Sequence, residues 1–322
     1  MDFVSTLLDR PGIRVERLLS ADDRKANLMA GAGPDPGDDG EGLLLCGHTD
    51  VVPAGEPGWT GDPFRLRRES DRLVARGACD MKGFVALAVN RLVATDAERL
   101  ERPLGLLLTY DEEVGTLGAR RYAEVGGPFP LPGRTIVGEP TGLRPVRLHK
   151  GHLRLRLVTT GVPAHSAYPA LGRSAVEPAA RAIVALAELN RALEEETPGA
   201  AEHFREAPWS SINVGRVLGG TAANVVPERC EVLIGVRLLP GLDPVVMTGR
   251  IADAVRAAIG DADWTLETVG LSPAMEAPQG SDLLAALREA AGRTEDSGAA
   301  FATDAGWLER KGHSCVLFGP GS

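Results

Sequence analysis

Short unbroken apolar runs alternate with amphipathic stretches over the first 138 residues. Residues 43–46 (LLLC), 104–108 (LGLLL) and 135–137 (TIV) carry no polar break, the pattern of strands covered on both faces. Between the first two, residues 84–93 (FVALAVNRLV) repeat their apolar positions at helical spacing. Such strands joined through helices predict an α/β class fold, a mixed and mostly parallel sheet with helices on both faces.

The middle of the chain has another rhythm. Residues 152–158 (HLRLRLV) alternate apolar and basic side chains, and 174–193 carry a helical apolar stripe. Residues 211–217 and 231–239 read as strands, 244–259 as a helix and 264–269 as a strand. The order β-α-β-β-α-β predicts a ferredoxin-like α+β unit with one sheet face covered by helices. After Pro273 the first rhythm returns, with a helix over 281–291 and an apolar run at 315–318. Residues 1–147 and 274–322 therefore form one expected domain, and 148–273 a second domain inserted into it.

Composition narrows the function. With 43% hydrophobic and 25% charged residues among 322, disorder is excluded as the main state. A net charge of −9 without a basic stripe argues against nucleic acid as a partner. No run approaches the roughly 20 apolar residues that cross a bilayer, and no basic segment leads into an apolar start. A cytoplasmic protein without a membrane partner is expected. Cys46, Cys79, Cys230 and Cys315 show no C-x-x-C spacing and read as buried small hydrophobes.

Chemistry gathers behind the apolar runs. His48-Thr49-Asp50 follows the first run, Asp111-Glu112-Glu113 the second and Glu139-Pro140 the third, while Asp80 opens the helix near Met81. In open α/β sheets ligands bind beyond the carboxyl ends of the strands, so these groups are expected on one rim. Clustered carboxylates repel, and a divalent cation relieves them all; a mixed His/Asp/Glu set suits zinc, cobalt or manganese. His48 and Asp50 face the same way in extended chain, so Asp50 is placed to hold the second ring nitrogen of His48. Of the pair Glu112-Glu113, one is free to ligate metal and the other to move protons. A His-x-Asp turn, or a Glu-Glu pair at a helix start, is an ordinary surface feature by itself; the joint placement is what points to a metal.

GHTDVVP (47–53), RGACDMKGF (76–84), DEEVGTLGA (111–119), GEPT (138–141), HKG (149–151), AHSAYPALGRSA (164–175), GGTAANVVPERCEV (219–232) and the closing FGPGS run in order along nearly the whole chain. Together they resemble the M20 family of metal-dependent amidohydrolases and peptidases, and within it the branch that hydrolyses N2-acetyl-ornithine to ornithine and acetate. The resemblance implies a zinc-peptidase-like catalytic domain and an inserted lid and dimerisation domain, hence a homodimer. It implies two Zn2+ ions, or Co2+, bridged by Asp80, with His48 and Glu139 completing one site and Glu113 belonging to the other. Glu112 then matches the general base, Asp50 the partner of His48, and His165 a histidine that steadies the oxyanion from across the dimer. Asn224, Arg237, Thr303 and Asp304 match positions at the substrate, an N-acyl amino acid. From the residues alone, the favoured readings are His165 as an ordinary loop histidine and Arg237 as an exposed strand residue, and the basic run 147–156 reads as a solvated face rather than an anion site.

One departure sets a further expectation. Family members supply a second metal-ligating histidine in an Ala-His context beyond the GPG turn, and the helix that usually precedes the segment around residues 3–8 is not seen. The histidines here are 48, 149, 152, 165, 203 and 313, none so placed. The second ion is expected to be held by Asp80 and Glu113 alone, weakly, and the chain to be poorly active. A desuccinylase, aminoacylase or carboxypeptidase of the same family, or a truncated non-catalytic relative, are the competing readings.

Overall fold

The apolar runs form the middle of a six-stranded sheet. Numbered along the chain, its strands are Ile13–Leu19 (β1), Ala26–Ala32 (β2), Leu43–His48 (β3), Leu104–Thr109 (β4), Arg134–Val137 (β5) and Ser314–Leu317 (β10), in the order β1-β2-β4-β3-β5-β10. β3 runs parallel to β4 and β5, and β5 to β10, while β1 and β2 add antiparallel at one edge. This computed structural model describes residues 1–321 apart from 38, 39, 197 and 296.

Burial explains the runs. Leu44, Cys46, Leu106, Leu107 and Leu108 are fully buried, because both faces of the central strands are covered. On one face the helix Gly83–Val93 (α2), with the short helix Asp2–Leu8 (α1) packed on it, buries Phe84, Val85, Ala88, Val89 and Leu92, one apolar stripe at helical spacing. It shares a core with Leu106, Leu108 and Leu283, Leu284 and Leu287 of a helix at Asp282–Ala291 (α6). Leu117–Val125 (α3) and Ala305–Arg310 (α7) pack on each other and on the strands outside that core.

The second unit has its own core. Gly151–Thr160 (β6), Ser211–Gly219 (β7), Arg229–Leu238 (β8) and Asp263–Ser272 (β9) form an antiparallel sheet in the order β7-β8-β6-β9. Helices Val176–Glu194 (α4) and Pro244–Ile259 (α5) cover one face, burying Leu153, Leu155, Leu157, Val232, Ile234 and Val236 against Leu186, Ile251 and Val255.

By contacts one unit is Met1–Leu148 with Met275–Ser297 and Thr303–Ser322, and the other His149–Ala274 with Gly298–Ala302. The five residues at 298–302 join the second unit because the Ala299 carbonyl accepts the Lys150 amide and Gly298 lies against the Phe204 ring. Two readings of the sequence need correction. Cys79 is exposed, unlike the other three cysteines. The start of the basic run is not solvated: Arg147, His149 and Lys150 are buried, and Lys150 Nζ donates to the Ala207 and Trp209 carbonyls at 2.7 Å each.

Candidate metal centre

Parallel strands bring their carboxyl ends to one edge. His48 closes β3 level with Thr109 at the end of β4, and Glu139 stands two residues beyond β5. Asp80 comes from the turn Ala78–Lys82, entered through Gly77 at φ +78°, where a Cβ would collide with the Val51 side chain. The Asp80–Met81 peptide is cis, and the Met81 side chain is buried beneath the turn. One donor atom from each of His48, Asp80 and Glu139 lies within 4.8 Å of the other two. Among the described residues no other group of three or more His, Cys, Asp or Glu gathers so closely.

Hydrogen bonds lock the cluster. His48 Nε2 stands 3.0 Å from Asp80 Oδ1, and Nδ1 stands 3.1 Å from the Asp50 carbonyl and 3.6 Å from its carboxylate. The Asp50 carboxylate accepts the amides of Glu112 at 3.2 Å and Glu113 at 3.0 Å, tying the turn after β4 to the turn after β3. Glu113 Oε1 accepts the Val52 amide at 3.3 Å, and Glu113 is not one of the three gathered residues.

The electrostatics are those of an overcrowded acid site. Burial opposes charge on His48, but the hydrogen bonds it donates to Asp50 and Asp80 and the charges of Glu112 and Glu139 prevail and raise its pKa to about 12. Burial pushes Glu139 up to about 8 against the pull of His48, and holds Glu112 well above the carboxylate range, with Asp304 and Glu139 adding repulsion. Asp50 is lowered despite burial, because His48 and the two amides donate to it. Acids driven toward protonation, beside an imidazole, are relieved by a divalent cation, which favours every ionised carboxylate at once. His48, Asp80 and Glu139 also have the donor number and mixed chemistry of a catalytic zinc or cobalt site, so the residues fit such an ion.

The remaining residues lie as follows. Thr303 and Asp304 are buried, at 0% and 1% exposure. Thr303 Oγ1 accepts the Ala305 amide, and Asp304 Oδ2 accepts from the Thr109 hydroxyl at 2.6 Å while Oδ1 has no hydrogen-bond partner among the described residues. Burial lifts Asp304 to about 6 against that hydrogen bond. In the second unit His165 and Asn224 lie on adjoining exposed turns, the Asn224 carbonyl accepting the Ser166 amide at 3.0 Å. Arg237 lies on β8, half-buried. Thr109 was missed by sequence reasoning; its signal is a lone polar residue closing the run LGLLLT.

An α/β sheet with His, Asp and Glu gathered at its carboxyl edge is an arrangement suited to a divalent cation, as in metal-dependent hydrolases. The family model for peptidase family M20/M25/M40 matches residues 44–322, and the chain belongs to that family. It is 35% identical to the acetylornithine deacetylase of Myxococcus xanthus over 100% of this chain and 83% of that protein. To the acetylornithine deacetylase of Yersinia pseudotuberculosis it is 40% identical over 72% of this chain and 59% of that one. Among solved structures, an M20 family metallo-carboxypeptidase, Sso-CP2 from Sulfolobus solfataricus, matches with a TM-score of 0.74 at 19% identity, covering 98% of this chain and 84% of that one. The YXEP protein of Bacillus subtilis, described as a dinuclear metal binding peptidase, matches with a TM-score of 0.62 at 16% identity over 99% and 82%. No helix among the described residues is long and apolar enough to cross a membrane.

Proposed function

We propose that this chain hydrolyses the amide bond of an N-acyl amino acid, with N2-acetyl-ornithine as the substrate and ornithine and acetate as products. The gathering of His48, Asp80 and Glu139 beside the largely buried Glu112 carries the reading for the reaction, and the 35% identity to acetylornithine deacetylases carries it for the substrate.

His48, Asp80 and Glu139 would hold one Zn2+ or Co2+, and Asp80 with Glu113 would be the donors of this chain to a second. Such an ion, when bound, polarises an acyl carbonyl and lowers the pKa of water toward roughly 7. Glu112 takes the proton from the attacking water and returns it to the leaving amine nitrogen, a task suited to a carboxyl whose pKa burial has raised. Asp50 orients His48 and fixes the backbone of Glu112 and Glu113. His165 donates to the developing oxyanion, and Asn224, Arg237, Thr303 and Asp304 line or support the substrate pocket. A homodimer through the second unit is supported by β7, an edge strand with Val217 48% and Leu218 49% exposed. Location in the cytoplasm, in amino-acid biosynthesis leading to arginine, completes the proposal.

The deciding experiment is Glu112→Gln with added zinc or cobalt. Turnover of N2-acetyl-ornithine should fall by at least about 100-fold with metal content unchanged. Wild-type turnover in that variant would remove Glu112 from its role. A panel of acetyl-, succinyl- and formyl-amino acids and dipeptides separates the deacetylase from its desuccinylase, aminoacylase and carboxypeptidase relatives.

A further inference from the structure

Glu112 stands midway along a turn bounded by two threonines, Thr109 closing β4 and Thr116 immediately before α3. Both threonines are buried, and both meet the α7 segment. The Thr109 hydroxyl donates to Asp304 Oδ2 at 2.6 Å, and the Thr116 hydroxyl accepts from the Trp307 indole N–H at 3.0 Å. Asp304 immediately precedes α7 and Trp307 lies three residues on, so the two side chains share one side of the helix.

The threonines pass this anchorage to the glutamate. The Thr116 amide donates to the Glu112 carbonyl at 2.8 Å, and the Thr109 carbonyl accepts the Thr49 amide, next to His48, at 3.2 Å. Thr116 has φ +55°, a left-handed conformation that a β-branched residue keeps only where its surroundings impose it. The Trp307 ring is itself held, with the guanidinium carbons of Arg120 and Arg310 at 5.7 and 5.3 Å from its centre. Asp50 fixes the amides within the turn, whereas the α7 segment fixes its ends.

We propose that Asp304 and Trp307 are positioning residues for Glu112, bracing both ends of its turn so that the carboxyl is set in place before substrate arrives. Both act through the threonines. A general base must lie within hydrogen-bond reach of the proton it takes, and a displacement of about 1 Å costs up to about 100-fold in rate. The inference rests on the reading of Glu112 as the base in hydrolysis of an N-acyl amino acid.

The test uses the zinc-loaded full chain with three variants. Trp307→Phe keeps a ring and loses the N–H, Asp304→Ala loses the acceptor, and Asp304→Asn keeps an oxygen for the Thr109 hydroxyl. In Trp307→Phe and Asp304→Ala, kcat for N2-acetyl-ornithine should fall at least about tenfold with KM and zinc content within about twofold of the parent, and Asp304→Asn should recover part of the loss. Deuterium exchange followed by mass spectrometry reads the turn without substrate. Peptides covering 109–116 should exchange at least about fivefold faster in the two weakened variants, while those from α2 and β5 keep the parent rate. Either variant decides alone should the other misfold. Turn exchange at the parent rate, faster exchange everywhere, or a parent kcat overturns the inference. A turn loosened in both variants of a chain that hydrolyses no N-acyl amino acid fells the substrate reading and leaves the brace standing; hydrolysis that neither variant slows does the reverse.

Discussion

The Oδ2 atom of Asp50 accepts the backbone amide of Glu113 at 3.0 Å. Through that bond, the amide of Glu112 and the contact with His48, one carboxylate fixes both the proposed metal ligand His48 and the turn bearing the two glutamates. Outer partners of metal-binding histidines are typically worth about 10–100-fold in metal affinity. Asp50→Ala should therefore weaken zinc binding by about that factor in a competition titration against a chromophoric chelator. Asp50→Asn keeps an oxygen for one amide and should recover part of the loss. Affinity unchanged in the alanine variant would contradict the role given to Asp50.

The metal count follows from the donors. A catalytic zinc usually has about three protein ligands, which in the proposed site His48, Asp80 and Glu139 would provide, whereas Asp80 and Glu113 would give a second ion two. A polypeptide of these 322 residues, dialysed against metal-free buffer, should retain one zinc per chain. A second equivalent should enter at least roughly tenfold more weakly. Two ions held with equal strength by that polypeptide would show that another donor serves the second site.

Strand β7 supplies the test of assembly. It stands at the edge of its sheet with backbone groups open to pairing, and Val217 and Leu218 present apolar surface. If two copies join there, Leu218→Lys should convert a dimer to a monomer by sedimentation at micromolar concentration while leaving metal content alone. A dimer indifferent to that charge would place the interface elsewhere.

Lys150 is the clearest case of a residue whose neighbours no pattern foretold. Its ammonium is buried, donates to the Ala207 and Trp209 carbonyls and stands 5.4 Å from the centre of the Phe204 ring. Lys150→Met keeps the length but strands both carbonyls, and should cost about 2–4 kcal/mol in urea unfolding. A loss within about 0.5 kcal/mol would mean that water or a shifted backbone replaces the ammonium.

Legibility in the sequence followed the range of the interaction. Strands β3, β4 and β5 could be read because covering both faces removes every polar break, and His48, Glu112 and Glu139 could be read because they stand at or just beyond the ends of those strands. Asp80 was visible as an acid at a helix start, but its approach to His48 depends on the Gly77 turn and on Met81 beneath it. Asp304 was singled out only through the family resemblance, because nothing local in the sequence shows that the packing of α7 turns it inward to the Thr109 hydroxyl. Residues 298–302 join the second unit through contacts with Lys150 and Phe204, about 150 and 95 positions away, a range over which no local periodicity carries information.

His313 makes the pH dependence of stability testable away from the metal donors. It is buried, with Nε2 3.3 Å from the Tyr122 hydroxyl and Nδ1 3.1 Å from the Thr135 hydroxyl. Burial lowers its pKa from the ordinary 6.5 to about 4. Between those values the unfolded chain binds a proton that the folded chain refuses, so stability falls as pH drops from 6.5 toward 4 and stops falling below it. The full difference corresponds to about 3 kcal/mol. His149 and His152 are lowered to about 4 by burial in the same sense, and the slope of the whole chain carries all three contributions. His313→Phe loses the two hydroxyl partners and should be less stable at pH 7.5. Its unfolding free energy should nevertheless decline less steeply between pH 6.5 and 4.5 than that of the parent, by close to one proton in the linkage slope. Denaturant titrations across that window measure the difference, and parallel slopes for the two proteins would show that His313 is already charged in the folded state.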